Sequence, residues 1–290
     1  MARIAIIGGG NMGEAILAGL LRSGHPAKDL VVTERVGERA DYLAQTYSVR
    51  VAQVSEAVDN AAFVILAVKP GDIESVVAAI AEAAGRAEGH AVEQVLVSVA
   101  AGVTTAFFEA RLPAGSPVIR VMPNTPALVG AGVSVLAGGR FATAGQLAEA
   151  ARLFESVGEA LTVPESNLDA VTAVSGSGPA YFFLFVEAMV DAAVATGLNR
   201  AVATDLVVQT MAGSAAMLLE RREADRAGRA SAGQICPETT AAELRAMVTS
   251  PGGTTAAGLR ELERGGLRAA VAAAVDAAKT RSEQLGITSE

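Results

Sequence analysis

A short β-branched run, Arg3-Ile4-Ala5-Ile6-Ile7, passes without a break into Gly8-Gly9-Gly10-Asn11-Met12-Gly13. This junction restricts the chain more than any other stretch. The run has the pattern of a strand buried on both faces. Gly8, Gly10 and Gly13 match G-x-G-x-x-G, and Glu14–Ser23 follows as a helix that packs through Ala15, Leu17, Ala18 and Leu21. Gly24 and Pro26 end that helix, and Leu30-Val31-Val32-Thr33 is a second strand. Strand, glycine turn, helix and strand make one βαβ unit. In such a unit the glycines allow a tight turn, and a pyrophosphate sits at the helix N-terminus.

The second strand ends at Glu34-Arg35. An acidic residue about twenty positions past the glycine turn grips a ribose 2′-hydroxyl, which favours NAD. An arginine there pairs with a 2′-phosphate, which favours NADP. Both residue types are present, and a plain solvated charge pair remains the alternative to either.

Ala62–Val68 is the clearest further strand, and it runs into Lys69-Pro70-Gly71. Ligands of doubly wound sheets sit at the carboxyl ends of strands. Lys69 is therefore either a cofactor contact or an exposed lysine before a rigid proline. Gln94–Val99 ends at Ala100-Ala101-Gly102, small enough to admit a flat ring or simply a strand-to-helix turn. Val118–Val121 leads to Met122-Pro123-Asn124-Thr125-Pro126, where two prolines fix the loop and Asn124 offers a donor and an acceptor. Val133–Leu136 and Ala160–Val163 are the last strands. The expectation is α/β: an N-terminal Rossmann-like doubly wound sheet over 1–164, followed by an all-α domain over 165–290.

The second half carries only helical patterns. Asn167–Val174 is expected to break at Ser175-Gly176-Ser177-Gly178-Pro179 and to resume as Ala180–Thr196. That helix is apolar nearly all round, from Tyr181 to Val190, and must be buried on most sides. A homodimer with this helix in the interface is the expectation, and the central helix of a monomeric bundle is the alternative. Arg200–Arg222 is a second long helix, and Glu223–Glu238 reads as a loop. Pro251 ends the helix over Thr240–Met247, and Gly252-Gly253 leads into Thr254-Thr255 at the start of another. A glycine approach to a helix terminus holds carboxylates and phosphates. A plain helix–helix turn with a threonine cap is the competing reading.

Composition removes several classes. The net charge is −8 with no basic stripe, and aromatics are 4% with no Trp, so neither nucleic acid nor an anionic membrane surface is an expected partner. One cysteine, Cys236, and two histidines, His25 and His90, give no disulfide, no metal site and no His-based triad. The N-terminus lacks a signal-peptide layout, and no uninterrupted apolar run reaches the length of a membrane span. A cytoplasmic protein is expected.

Five segments together resemble the pyrroline-5-carboxylate reductase family. They are Gly8–Gly13, Ala67–Pro70, Met122–Pro126, Ser175–Tyr181, and Thr249–Thr255 with Ala256–Glu263. The resemblance covers nearly the whole chain, and the last segment is its most specific part. It implies reduction of L-1-pyrroline-5-carboxylate to L-proline, the final step of proline biosynthesis. It also implies an all-α dimerisation domain and dimers that often assemble into decamers. It implies a cofactor held by Ile7, Gly8, Gly9, Gly10, Asn11 and Met12, by Glu34 and Arg35, by Ala67, Val68, Lys69 and Pro70, and by Ala100, Ala101 and Asn124. NADP(H) is the preferred cofactor on this reading, with NAD(H) the alternative. The substrate carboxylate is implied at Ser250, Gly253, Thr254 and Thr255, with Thr255 as the catalytic hydroxyl. Glu238 aligns with a substrate-side acid of some members. This chain has Thr240-Ala241-Ala242 where many members have a proline before the helix. A β-hydroxyacid dehydrogenase generally needs a catalytic lysine on an α-domain helix, and no lysine occurs from Val171 through Asp276. A dinucleotide-sensing protein without chemistry would not need the Ser250–Thr255 turn.

Overall fold

The computed structural model describes residues 2–86, 93–232 and 240–287. Glu238, Cys236 and His90 lie outside the described residues. The chain divides into two compact units, Met1–Pro179 with Val275–Glu290, and Ala180–Ala274.

Among the described residues, the first unit carries one eight-stranded sheet. Its strands are β1 (Ile4–Ile7), β2 (Leu30–Thr33), β3 (Arg50–Val51), β4 (Phe63–Leu66), β5 (Val95–Ser98), β6 (Val118–Met122), β7 (Gly132–Gly138) and β8 (Gly158–Thr162). The order is β3-β2-β1-β4-β5-β6-β7-β8. The connection reverses between β1 and β4, which creates the switch-point crevice of a doubly wound sheet. Successive side chains point to opposite faces, and both faces are covered. Ile4 and Ile6 of β1, with Phe63 and Ile65 of β4, enter one core beside Ile16, Leu17 and Leu20. Ala5 and Ile7, with Val64 and Leu66, enter the other beside Val77 and Phe108.

Six strands run parallel, and β7 then turns antiparallel to β6. The cause is local. Met122 to Gly132 is too short for a crossover helix, and only an antiparallel return closes over so short a link. Asn124 Oδ1 accepts from Val133 N at 2.9 Å and holds that link in place.

The helices of this unit are α1 (Asn11–Arg22), α2 (Gly37–Tyr47), α3 (Val54–Val58), α4 (Ile73–Arg86), α5 (Thr105–Glu109), α6 (Ala144–Phe154) and α7 (Leu168–Val171). The expected break at Ser175–Pro179 is instead a widened turn over Thr172–Gly176, after which α8 (Gly178–Ala195) resumes. Ser177 N donates to Thr172 O, five residues back, at 2.9 Å. A π-type turn releases the carbonyls that Pro179 cannot serve, so the axis continues where a regular helix would stop.

In the second unit α8 turns at Gly197 into α9 (Arg200–Ala232), with Asn199 Oδ1 accepting from Ala201 N at 2.9 Å. The helix extends ten residues beyond its expected end at Arg222, through stretch 223–232 that reads as loop. Ala, Arg and Glu are strong helix formers, and one interior glycine costs only about 1 kcal/mol. Then come α10 (Thr240–Met247) and α11 (Thr254–Arg264), and last α12 (Leu267–Ile287), whose residues from Val275 on belong to the first unit. Val190, Ala203 and Val207 form a small interior with Val186, Ala193 and Val194. Outward, Phe182, Phe183 and Leu184 are 60%, 66% and 66% exposed.

Two helical segments, Glu165–Ala195 and Arg200–Asp225, are long and apolar enough by length and composition to cross a membrane. The sequence expectation concerned uninterrupted apolar runs, and neither segment is uninterrupted. Scattered charges such as Glu187 and Asp191 interrupt the runs without lowering their mean hydropathy enough.

Candidate active site

The crevice is built on the turn between β1 and α1. Gly8 has φ +108, a backbone that side chains rarely tolerate, and a Cβ there would come within 2.7 Å of Ala67 O. A Cβ on Gly13 would overlap the Gly8 carbonyl oxygen. These two glycines let α1 press onto the turn and the turn onto β4. Gly10 differs: a Cβ there meets nothing within 4 Å. The space it leaves is open, as a cradle for a ligand requires.

The first backbone bond of α1 runs from Glu14 N to Gly10 O at 2.8 Å, and no side chain caps the helix. The N–H groups of Asn11, Met12 and Gly13 therefore have no acceptor in the helix and face an incoming anion. The residues present fit a dinucleotide pyrophosphate.

A cluster missed by sequence reasoning braces this turn. Arg39 Nε donates to Gly9 O at 2.9 Å, and its guanidinium also pairs with Glu14. Tyr47 Oη donates to Glu14 Oε1 at 2.8 Å. Burial pushes the Glu14 carboxyl up. Hydrogen bonds from Tyr47, Arg39 and Tyr42, with the Arg39 charge, outweigh it and hold the carboxyl below 4.5. Burial, then the hydrogen bond and charge of Glu14, push the Tyr47 hydroxyl up to about 12. The negative charge of Glu14 in the first turn is thus countered by Arg39, beside the place a pyrophosphate would enter. These partners come from different helices, and no spacing rule in the sequence links them.

Glu34 stands beside the turn. Its carboxylate accepts from Gly9 N at 3.2 Å, Arg35 N at 2.7 Å and Val36 N at 3.0 Å. Arg35 is exposed, and its guanidinium donates to Asp72 Oδ2 at 2.8 Å. Ala67 N donates to Ile7 O at 2.8 Å, so Ala67–Pro70 opens at the same carboxyl edge. Val99 N donates to Leu66 O at 3.0 Å and brings Ala100-Ala101 alongside. Lys69 is exposed there. Asn124 is buried, and its side-chain oxygen serves its own loop.

The segment after Ala100-Ala101 is anchored by a further network absent from the sequence reading. Glu165 accepts from Thr105 N at 2.8 Å and Thr105 Oγ1 at 2.6 Å, and pairs with buried Arg120 at 3.4 Å. Ser282 of α12 donates to Asp169 at 2.6 Å.

In the second unit, Gly252 has φ +71, and Gly253 N donates to Ser250 O at 3.0 Å. Gly253 is the N-cap of α11, with no side-chain cap bond. The threonine cap considered from sequence is therefore absent. The first helix bond runs from Ala257 N to Gly253 O, which leaves Thr254, Thr255 and Ala256 N–H groups without a helical acceptor. Ser250, Thr254 and Thr255 are exposed within this unit.

A dinucleotide crevice at the switch point of a doubly wound sheet defines the class of Rossmann-type nicotinamide oxidoreductases. Residues 165–285 match the family model for pyrroline-5-carboxylate reductase dimerisation, and residues 3–102 match that for NADP oxidoreductase, coenzyme F420-dependent. A pyrroline-5-carboxylate reductase of Mycobacterium tuberculosis is 65% identical over 293 residues, covering 100% of this chain and 99% of that one. One from Mycobacterium leprae is 64% identical over 295 residues, with the same coverage. The solved pyrroline-5-carboxylate reductase of Coxiella burnetii superposes with a TM-score of 0.86 at 34% identity, over 98% of both chains. A Plasmodium falciparum pyrroline carboxylate reductase with NADP bound gives 0.78 at 27%, again over 98% of both. The chain belongs to the pyrroline-5-carboxylate reductase family. The activity that goes with that membership is NAD(P)H-dependent reduction of pyrroline-5-carboxylate to proline.

Proposed function

We propose that this chain works with NADP(H) in preference to NAD(H), and that the Ser250–Thr255 turn holds its substrate, L-1-pyrroline-5-carboxylate. The NADP(H) reading is supported by Arg35 at the crevice rim and by the NADP in the Plasmodium relative. The single observation that carries the substrate reading is the N-terminus of α11, approached through Gly252-Gly253 and left without a side-chain cap. Its free N–H groups and the Ser250 hydroxyl take the substrate carboxylate. The Thr255 hydroxyl then accepts from the N–H of the protonated imine and fixes the ring.

Bound NADPH supplies the hydride. At the imine carbon that hydride would turn the protonated imine into an amine, the C=N π electrons going to nitrogen. The electrophile is already activated, so the residues need only orient it, and orientation supplies much of the rate. Glu238 is kept as a candidate substrate contact, and Ala67–Pro70, Ala100 and Ala101 as the nicotinamide wall. Homodimers form through the 165–285 region, with decamers as a further assembly, and the enzyme acts in the cytoplasm.

Thr255→Ala lowers kcat with pyrroline-5-carboxylate by roughly 10- to 100-fold, the scale of a lost positioning bond. NADPH affinity stays unchanged, and Thr255→Ser restores most of the rate. Steady-state kinetics with NADPH absorbance checks this; full turnover in Thr255→Ala removes Thr255 from the mechanism.

A further inference from the structure

Arg35 follows β2 and Asp72 follows β4, the two strands that flank β1. Their ion pair at 2.8 Å therefore spans the carboxyl edge of the sheet across the end of β1, where the glycine turn begins. Two charged groups near it are committed elsewhere. Glu34 accepts three backbone N–H groups, and Arg39 is divided between Gly9 O and Glu14. Lys69 is exposed at the start of the turn that carries Asp72. Arg35 has 80% of its side chain exposed and Asp72 29%, so their pair is a weak surface contact that a stronger anion displaces.

A 2′-phosphate is such an anion. It carries close to two negative charges and offers oxygens that a guanidinium grips with two parallel bonds. A ribose 2′-hydroxyl gains nothing comparable from Arg35. We propose that Asp72 is a specificity-determining residue. It competes with the 2′-phosphate for Arg35 and so tempers the preference for NADPH over NADH. The inference rests on the NADP(H) reading above, with Arg35 as the phosphate partner.

The test compares kcat/KM for NADPH with kcat/KM for NADH in full-length enzyme. Three variants are used: Asp72→Asn, Arg35→Ala and the double variant, each checked for folding by thermal melt. A loss of stability lowers both cofactors' rates together and leaves their ratio in place. Asp72→Asn is expected to raise the NADPH:NADH ratio about fivefold, the scale on which an exposed charge acts. Arg35→Ala is expected to lower it about tenfold or more. The double variant is expected to match Arg35→Ala, because Asp72 acts through Arg35. An unchanged or lower ratio in Asp72→Asn, with the Arg35→Ala drop intact, overturns the role of Asp72. A raised ratio that persists in the double variant overturns competition for Arg35. An unchanged ratio in Arg35→Ala overturns the underlying assignment of Arg35 to the phosphate.

Discussion

The two units hide their apolar side chains to very different degrees. In the first, Ile4, Ile6 and Ile65 are wholly buried and Ile7 is 1% exposed, between cores on both faces of the sheet. In the second, α8 places Phe182, Phe183 and Leu184 in the open, and α9 does the same with Val202, Leu206 and Val208. The first unit closes its interior with its own chain. The second has material for an interior and leaves much of it uncovered, as a domain completed by another copy must. The match of 165–285 to a dimerisation family agrees with that contrast.

The largest expected effect breaks the contrast at its exposed side. Phe183→Glu combined with Leu184→Glu sets two charges on the uncovered face of α8. Burying an unpaired charge costs several kcal/mol, and each lost apolar contact adds about 2 kcal/mol. Light scattering should find no dimer. NADPH binding by the first unit should persist. A dimer of unchanged stability would place the interface elsewhere.

A pair of glycine substitutions sharpens the buried side. Gly13→Ala forces a methyl against the backbone carbonyl of Gly8, which cannot rotate away. A loss of roughly 3 kcal/mol in urea unfolding is expected, together with loss of cofactor binding. Gly10→Ala meets nothing within 4 Å. It should leave the unfolding midpoint almost in place and weaken NADPH binding about tenfold, because the methyl occupies ligand space. Equal behaviour of the two would mean that close packing and ligand room are not separate duties in this turn.

What could be read in advance follows the same division. Continuous apolar runs and the glycine spacing expose β1, β4 and the crevice, since both are local in sequence. Gly252-Gly253 before Thr254 likewise marks the start of α11. The direction of β7 was hidden, because Val133–Leu136 looks alike in either orientation and the decision lies in the shortness of the link before it. The continuous α7–α8 axis was hidden because Pro179 with two glycines ordinarily signals a stop, and the π-type turn circumvents it. The length of α9 was hidden because a glycine among charged residues resembles a loop. The cluster of Glu14, Arg39 and Tyr47 joins residues more than twenty positions apart through tertiary packing alone. Asp72 is in the same position with respect to Arg35.

The smallest effect compares polar contacts in the two units through pH. Arg200 and Asp191 pair in the second unit, with side chains 64% and 59% exposed, so Arg200→Ala should change stability by no more than about 0.5 kcal/mol. In the first unit Tyr47 and Glu14 are half-buried, and their protons are coupled to folding. The folded-state value of Tyr47 is raised from 10.0 to about 12. Its contribution is therefore fully present below pH 10 and is lost as pH rises through about 12, because only the unfolded chain releases the proton in that window. Glu14 is shifted the other way, so its contribution is present above pH 4.5 and is lost as pH falls through its depressed folded value. Tyr47→Phe should cost about 1 kcal/mol at neutral pH, the worth of one hydrogen bond. The gap between parent and variant should narrow as pH rises from 10 towards about 12, while Arg200→Ala shows no such trend. Urea melts across that range check both. A constant gap would mean that the Tyr47 hydroxyl is as well solvated as the Arg200 pair, and the contrast between the units would then not extend to their charges.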